Sequence, residues 1–254
     1  MLRIWVFAAP RIAFEGDAAD TALPADSLRL LTYLLVHRRR PVSRRRMAST
    51  LWPDAPEDRA LANLRRQLHR LQQILAAGET GEFIAADRLT IQWNPTPPYW
   101  LDMEEFEGLC VGVGDSRSAE DTERRSDLEE AIALYRGDLG GDMHDPWILA
   151  ERERLGTMYR DALDHLLGLH VAAADLRAAS EVAQRLLDTD PLREEAHRIV
   201  IGLHYLAGDR GQALAAFRRC RDLLEAEFSV EPMGQTIDLV EAVRALTGFV
   251  GEPV

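Results

Sequence analysis

Between Glu57 and Ala77 the apolar positions recur every three or four residues. Wound as a helix at about 100° per residue, Leu61, Leu64, Leu68, Leu71 and Leu75 fall on one stripe. Arg59, Ala62, Arg66, His69, Arg70 and Gln73 fall on the far side, with Asn63 on its flank. Such a stripe predicts a long amphipathic helix packed through its leucines.

Upstream the period is shorter. Leu2 to Phe7 and Arg11 to Phe14 read as short strands on either side of a bend at Pro10. Asp26 or Ser27 can cap a helix to about His37, with Leu28, Leu31, Leu34 and Leu35 inward. After the break at Arg38-Arg39-Arg40-Pro41, Ser43 can cap a second helix to Leu51, packed through Met47 and Leu51. Two prolines make 52–56 a connecting loop. Downstream, Phe83-Ile84-Ala85 and Leu89 to Trp93 alternate around a turn at Ala86-Asp87-Arg88, the pattern of a hairpin. Strands, three helices and a closing hairpin make a winged helix-turn-helix, with the long helix in the recognition position and Arg88 at the wing tip.

The proline-rich stretch Asn94 to Pro98 closes this first domain, residues 1–98. Leu101 to Phe106 starts a helical segment, 112–118 (GVGDSRS) reads as a loop, and from Glu120 nearly everything has helical period. Helices are expected at about 120–136, 147–173, 176–188, 192–207, 210–226 and 233–247. Ala174-Asp175 and Gly208-Asp209 stand 34 residues apart, each before a helix with Ala at the same offset (Ala179, Ala213), then Ala183 and Phe217 four further on. A 34-residue period with small residues at helix crossings is the tetratricopeptide (TPR) signature. The expected fold is thus mainly α: a winged helix-turn-helix with small β-sheets, then an all-α TPR-like domain over 99–254.

Charge separates the two parts. The chain carries −12 overall, yet residues 1–100 hold 14 Arg against 10 acids, and residues 101–254 hold 16 Arg against 32. Between Arg29 and Arg70 stand 11 Arg and three acids. A local basic field binds phosphate whatever the whole-chain charge, because screening limits its reach to about 8 Å. Arg44, Arg45 and Arg46 crowd the first turn of the second helix, where the dipole disfavours cations; an external phosphate would explain them, a solvated turn being the alternative. Arginine forks, an amide and an imidazole on the long helix suit phosphates and base edges of double-stranded DNA.

Other chemistry finds little support. Cys110 and Cys220 are far apart, without ligand or disulfide spacing. Asp161 and His165 share a helix face but lack further ligands, so no metal or cofactor is expected; His197 and His204, seven apart, could line the groove of the repeats but read better as packed or surface histidines. Trp147 and Tyr159 read as core. No nucleophile motif, metalloprotease motif or phosphate loop is present, which argues against an enzyme. With no signal-peptide pattern and no membrane-length apolar run, a cytoplasmic protein is expected.

Two segments resemble a known family. Residues 37–75, HRRRPVSRRRMASTLWPDAPEDRALANLRRQLHRLQQIL, resemble the OmpR-type winged helix of the Streptomyces antibiotic regulatory protein (SARP) family. ALYRG (133–137), DPLREEAH (190–197) and FSVEP (228–232) resemble the bacterial transcriptional activation domain that follows it. The resemblance implies a sequence-specific activator that binds promoter direct repeats as a homodimer and engages RNA polymerase holoenzyme. It places Arg59, Asn63, Arg66 and Arg70 in the major groove, with His69 beside them, and Arg88 near the minor groove. It makes the loop carrying Trp52, Asp54 and Glu57 a polymerase-facing surface. Where the family often shows Val-Ser-Arg-Leu-Arg, this chain has Gln67-Leu68-His69-Arg70-Leu71, so base preference does not transfer. With no phosphate loop before Val254, the small stand-alone form is expected. The competing reading is an interaction module: the helical repeats bind a protein or effector, and the winged helix pairs chains without touching DNA.

Overall fold

The computed structural model describes residues 1–15, 21, 23–76, 81–111 and 119–245. The loop expected at 112–118 and the expected end of the last helix at 247 lie outside them. By its contacts the chain divides into two compact units, one of residues 1–114 and 130–159, the other of 115–129 and 160–254. That cut differs from the sequence boundary after residue 98, which marks where the expected strands end.

In the first unit, β1 (Leu2–Trp5) pairs antiparallel with β2 (Arg11–Phe14). Helix α1 (Ala25–Val36) follows, then β3 (Val42–Ser43), α2 (Arg44–Leu51) and α3 (Glu57–Ala76). The expected caps differ in detail. Pro24, not Asp26 or Ser27, occupies the N-cap of α1, and Ser43 caps α2 without a side-chain hydrogen bond. Ser27 and Asp26 serve another purpose, described below. On α1, Leu30 is buried and Leu28 only half-buried, so the inward stripe is turned slightly from the expected one.

The seam of α3 is as expected from Leu64 onward: Leu64, Leu68, Leu71 and Leu75 are buried, and Leu61 is half-buried near the N-terminal end. Each fully buried leucine contributes about 1.5–3 kcal/mol of transfer free energy. The wing is β4 (Ile84–Ala86) against β5 (Thr90–Trp93), and β5 also pairs with β3, joining wing to helix-turn-helix. Phe83 and Trp93 stack beneath it.

One strand had no sequence signal. β6 (Tyr99–Leu101) pairs parallel with β1, completing a sheet of order β2-β1-β6. It leads directly into α4 (Asp102–Val111), whose first residue is buried; Asp102 accepts hydrogen bonds from the backbone N–H of Val6, Phe7 and Met103. The division between units falls within α5 (Ala119–Leu134) and α6 (Pro146–Ala172). Their first-unit portions, 130–134 and 146–159, flank a segment bound to the continuation of β1: Ala8 N–H donates to Asp138 and Gly140 N–H to Val6. Gly141 is obligatory there, because a Cβ would lie 1.8 Å from the Ala8 carbonyl oxygen and φ is +53°. Arg152 fastens the same segment through the carbonyls of Leu139, Gly141 and Met143.

The second unit holds the rest of α6, then α7 (Leu176–Thr189), α8 (Glu194–Leu206), α9 (Arg210–Phe228) and α10 (Gly234–Ala245). The 34-residue repeat is structural. Ala174 and Gly208 both adopt left-handed φ (55° and 79°), and the next residue caps each helix: Asp175 accepts from Ala178 N–H, and Asp209 from Gln212 N–H. Ala179, Ala183 and Ala213 are fully buried, with Phe217 nearly so. His197 is also packed, its Nε2 2.9 Å from the Pro191 carbonyl oxygen. No helix among the described residues is long and apolar enough to cross a membrane.

Candidate nucleic-acid interface

Burial of the leucine seam turns the opposite face of α3 outward. Arg59, Ala62, Arg66, His69, Arg70 and Gln73 are all exposed, and Asn63 is half-buried. Arg66 Nη2 donates to Asn63 Oδ1 at 2.8 Å, so two expected base-reading side chains are already coupled. Arg65 is exposed as well. It lies on the flank of α3, outside the arc opposite the leucines, so the helical period alone does not single it out.

What fixes the rotation of α3 is a polar residue on its inner side. Gln67 is only 8% exposed; Ser27 Oγ donates to its Oε1, and its Nε2 donates to Asp26. Arg29 extends the network, donating to Asp26, to the Leu51 carbonyl and in bidentate fashion to Asp145. The carboxylate of Asp145 holds the Arg29 guanidinium in its charged form. A buried glutamine with both ends satisfied by α1 resists any roll of the arginine face. Nothing in the apolar period singled out Gln67; its place among the leucines at 64, 68 and 71 was the available signal.

The arginines of α2 are more occupied than the sequence suggests. Arg44 is half-buried; its Nε donates to the Asp87 carbonyl at 2.7 Å, tying α2 to the wing turn. Arg45 forms an exposed ion pair with Glu57 at 3.1 Å. Arg46 is exposed. In the wing turn, the Asp87 carboxylate accepts from the backbone N–H of Thr90 and Leu89, which holds its pKa below the usual carboxylate range. Arg88 is exposed on that turn. On α2, α3 and the wing turn, the outward cations outside these contacts are therefore Arg46, Arg59, Arg65, Arg66, Arg70 and Arg88.

Elsewhere in the basic stretch, Arg39 and Arg40 are exposed and Arg38 turns inward. Arg38 is 7% exposed and pairs with Glu107 of α4, which also receives Arg39 and Arg154. Burial alone would raise the Glu107 pKa, but Arg38 and Arg154 hold it below the ordinary value. Glu107 is the counter-charge that lets Arg38 be buried. Among the described residues no group of three or more His, Cys, Asp or Glu could hold a metal.

The loop 52–56 has Trp52 half-buried and Asp54 exposed, with Glu57 exposed at the start of α3. A cavity of about 620 Å³ opens beside it, bordered by Trp52, Asp54, Arg59, Asn63, Arg29 and Asp145. Loop and recognition-helix candidates, adjacent in sequence, thus share one concavity with Arg29 and Asp145, which only folding brings there.

Comparison with known proteins places this geometry. The chain is 27% identical over 237 residues to the regulatory protein AfsR of Streptomyces coelicolor, covering 91% of this chain and 23% of that protein. It is 24% identical to the transcriptional regulatory protein EmbR of Mycobacterium tuberculosis, covering 87% of this chain and 58% of EmbR. The chain therefore spans about a quarter of the AfsR relative and just over half of EmbR. The solved structure of M. tuberculosis EmbR in complex with a low-affinity phosphopeptide superposes with a TM-score of 0.75 over 96% of this chain and 65% of that one, at 19% identity, a likeness of fold. The family model of the bacterial transcriptional activator domain matches residues 101–244. The chain belongs to the bacterial transcriptional activator domain family, in the company of the SARP regulators.

Proposed function

We propose that this chain is a transcriptional activator that binds double-stranded DNA through its first 98 residues and acts through residues 99–254. The observation that carries the reading is the outward arginine face of α3, held in register by the buried Gln67 beneath it. Arg59, Asn63, Arg66, His69 and Arg70 read base edges in the major groove, where arginine pairs with guanine and asparagine with adenine. Arg45, Arg46 and Arg88 meet phosphates, which fix register without carrying sequence. Arg44 contributes by positioning the wing turn through the Asp87 carbonyl. A pair of chains sits side by side on promoter direct repeats, and the loop of Trp52, Asp54 and Glu57 faces RNA polymerase. The names of the AfsR and EmbR relatives, a regulatory protein and a transcriptional regulatory protein, support this assignment.

The test is affinity for duplex DNA as a function of salt. Six to ten phosphate contacts give a log–log slope of about −5 to −9. Replacing Arg46 or Arg88 by Ala should lower the slope by about one and weaken all sequences alike. A slope near zero would favour the reading in which the winged helix only pairs chains. Asp54→Ala, in turn, should bind DNA normally and fail to activate.

A further inference from the structure

The second unit carries a hollow of about 510 Å³ whose lining comes from α6, α7 and α8. Leu167, Leu186 and Leu203 form its buried floor, while Val171 and Leu206 leave apolar surface exposed at its edge, 47% and 66% accessible. Gly168 and Gly202 also line it, one on α6 and one on α8, 34 residues apart and so at the same place in the repeat. A glycine inside a helix lowers its stability relative to alanine and is normally explained by a close neighbour. Here a Cβ at either position would meet nothing within 4 Å. Packing does not require these glycines, and their effect is to deepen one hollow.

The charge around the hollow is unbalanced. Arg193 is paired with Asp164, leaving Glu195 as a second, exposed carboxylate on the lining. The lining therefore holds two carboxylates to one guanidinium; burial raises the Asp164 pKa against the pull of Arg193, with Glu195 and Asp161 adding to the rise. The size falls within the usual range of small-molecule sites, and the lining matches their pattern of apolar walls with a few polar groups.

We propose that this hollow is a binding site for a small apolar molecule bearing one cationic amine, its body over Gly168 and Gly202 and its ammonium towards Asp164 and Glu195. The inference concerns the second unit alone and holds whether or not α3 reads DNA.

Dansylcadaverine, a fluorescent naphthalene sulfonamide with a primary ammonium, is the probe. Titrated into the full chain, it should bind saturably at one site per chain, at least tenfold more tightly than dansylamide, which lacks the ammonium, or the anionic anilinonaphthalene sulfonate. Glu195→Gln should weaken dansylcadaverine without changing dansylamide. Gly168→Leu combined with Gly202→Leu fills the hollow and should abolish uptake, while the melting temperature holds or rises because each change supplies a better helix former in open space. Unchanged uptake by that folded variant overturns the proposal, as does equal affinity for the anionic probe. Uptake that disappears as chains self-associate would assign the hollow to a second copy and overturn it equally.

Discussion

Asp145 holds Arg29 across 116 residues of chain. The guanidinium it grips also reaches Asp26 and the Leu51 carbonyl, and Asp26 in turn bonds Gln67. A carboxylate just before α6 thereby helps set the rotation of α3. The pair is partly buried, with side-chain exposures of 26% for Arg29 and 11% for Asp145. Loss of either partner leaves a poorly solvated charge, so Arg29→Ala or Asp145→Ala should cost about 1–3 kcal/mol, discounted from the fully buried case for solvent screening. Denaturant unfolding of the two single variants and the double variant should give a coupling of about 1 kcal/mol or more. Strictly additive effects would detach Asp145 from the network.

Asn63 and Arg66 are hydrogen-bonded to each other in the free chain. If both read bases as a unit, Asn63→Ala and Arg66→Ala should each cost about 1–3 kcal/mol in binding to a preferred site and less than that on random duplex. The double variant should lose clearly less than the sum. Anisotropy titrations against the two DNAs measure this directly.

The repeat makes a reciprocal stability prediction. Ala174 and Gly208 occupy equivalent left-handed positions, which cost a residue with a Cβ about 1–2 kcal/mol. Ala174→Gly should therefore raise the stability of the second unit, and Gly208→Ala should lower it by a similar amount. Thermal melts in which both substitutions move stability in the same direction would show that the turns are not equivalent.

Burial pushes the Asp102 carboxyl up to about 6 against the pull of its backbone donors at Val6, Phe7 and Met103. A carboxyl whose folded pKa lies above its unfolded value contributes stability that is full below about pH 4 and lost as pH rises through about 6. The Cγ resonance of Asp102 should titrate with a midpoint near 6. Unfolding free energy should carry a component that falls between about pH 4 and pH 6 and vanishes in Asp102→Asn. A midpoint at or below the ordinary value of about 4 would contradict this.

Much of the architecture was legible because it is written in local periods. The α3 leucines, the wing residues and the helices from 146 onward follow 3.6- or two-residue patterns, and their ends fall within a few residues of expectation. What escaped depends on distant partners. β6 is three residues long and pairs with β1 about a hundred residues earlier, so no local pattern announces it. Glu107 looks like any acid near a helix start until Arg38 is found buried against it. Ser27 looks like a cap, yet its hydroxyl serves Gln67 on another helix. The arginine face was readable as a surface, while the partners that occupy Arg44 and Arg45 come from the wing turn and from the start of α3, which only folding brings near.

The central claim is that the α3 arginine face reads duplex DNA. Its most direct test is recovery of bound fragments from a random-sequence duplex pool by the full chain, beside a variant with Arg59, Arg66 and Arg70 replaced by Ala. The account predicts a direct-repeat motif for the wild type, lost in the variant while its thermal unfolding is unchanged. The same motif from both proteins, or none from the wild type, would contradict it.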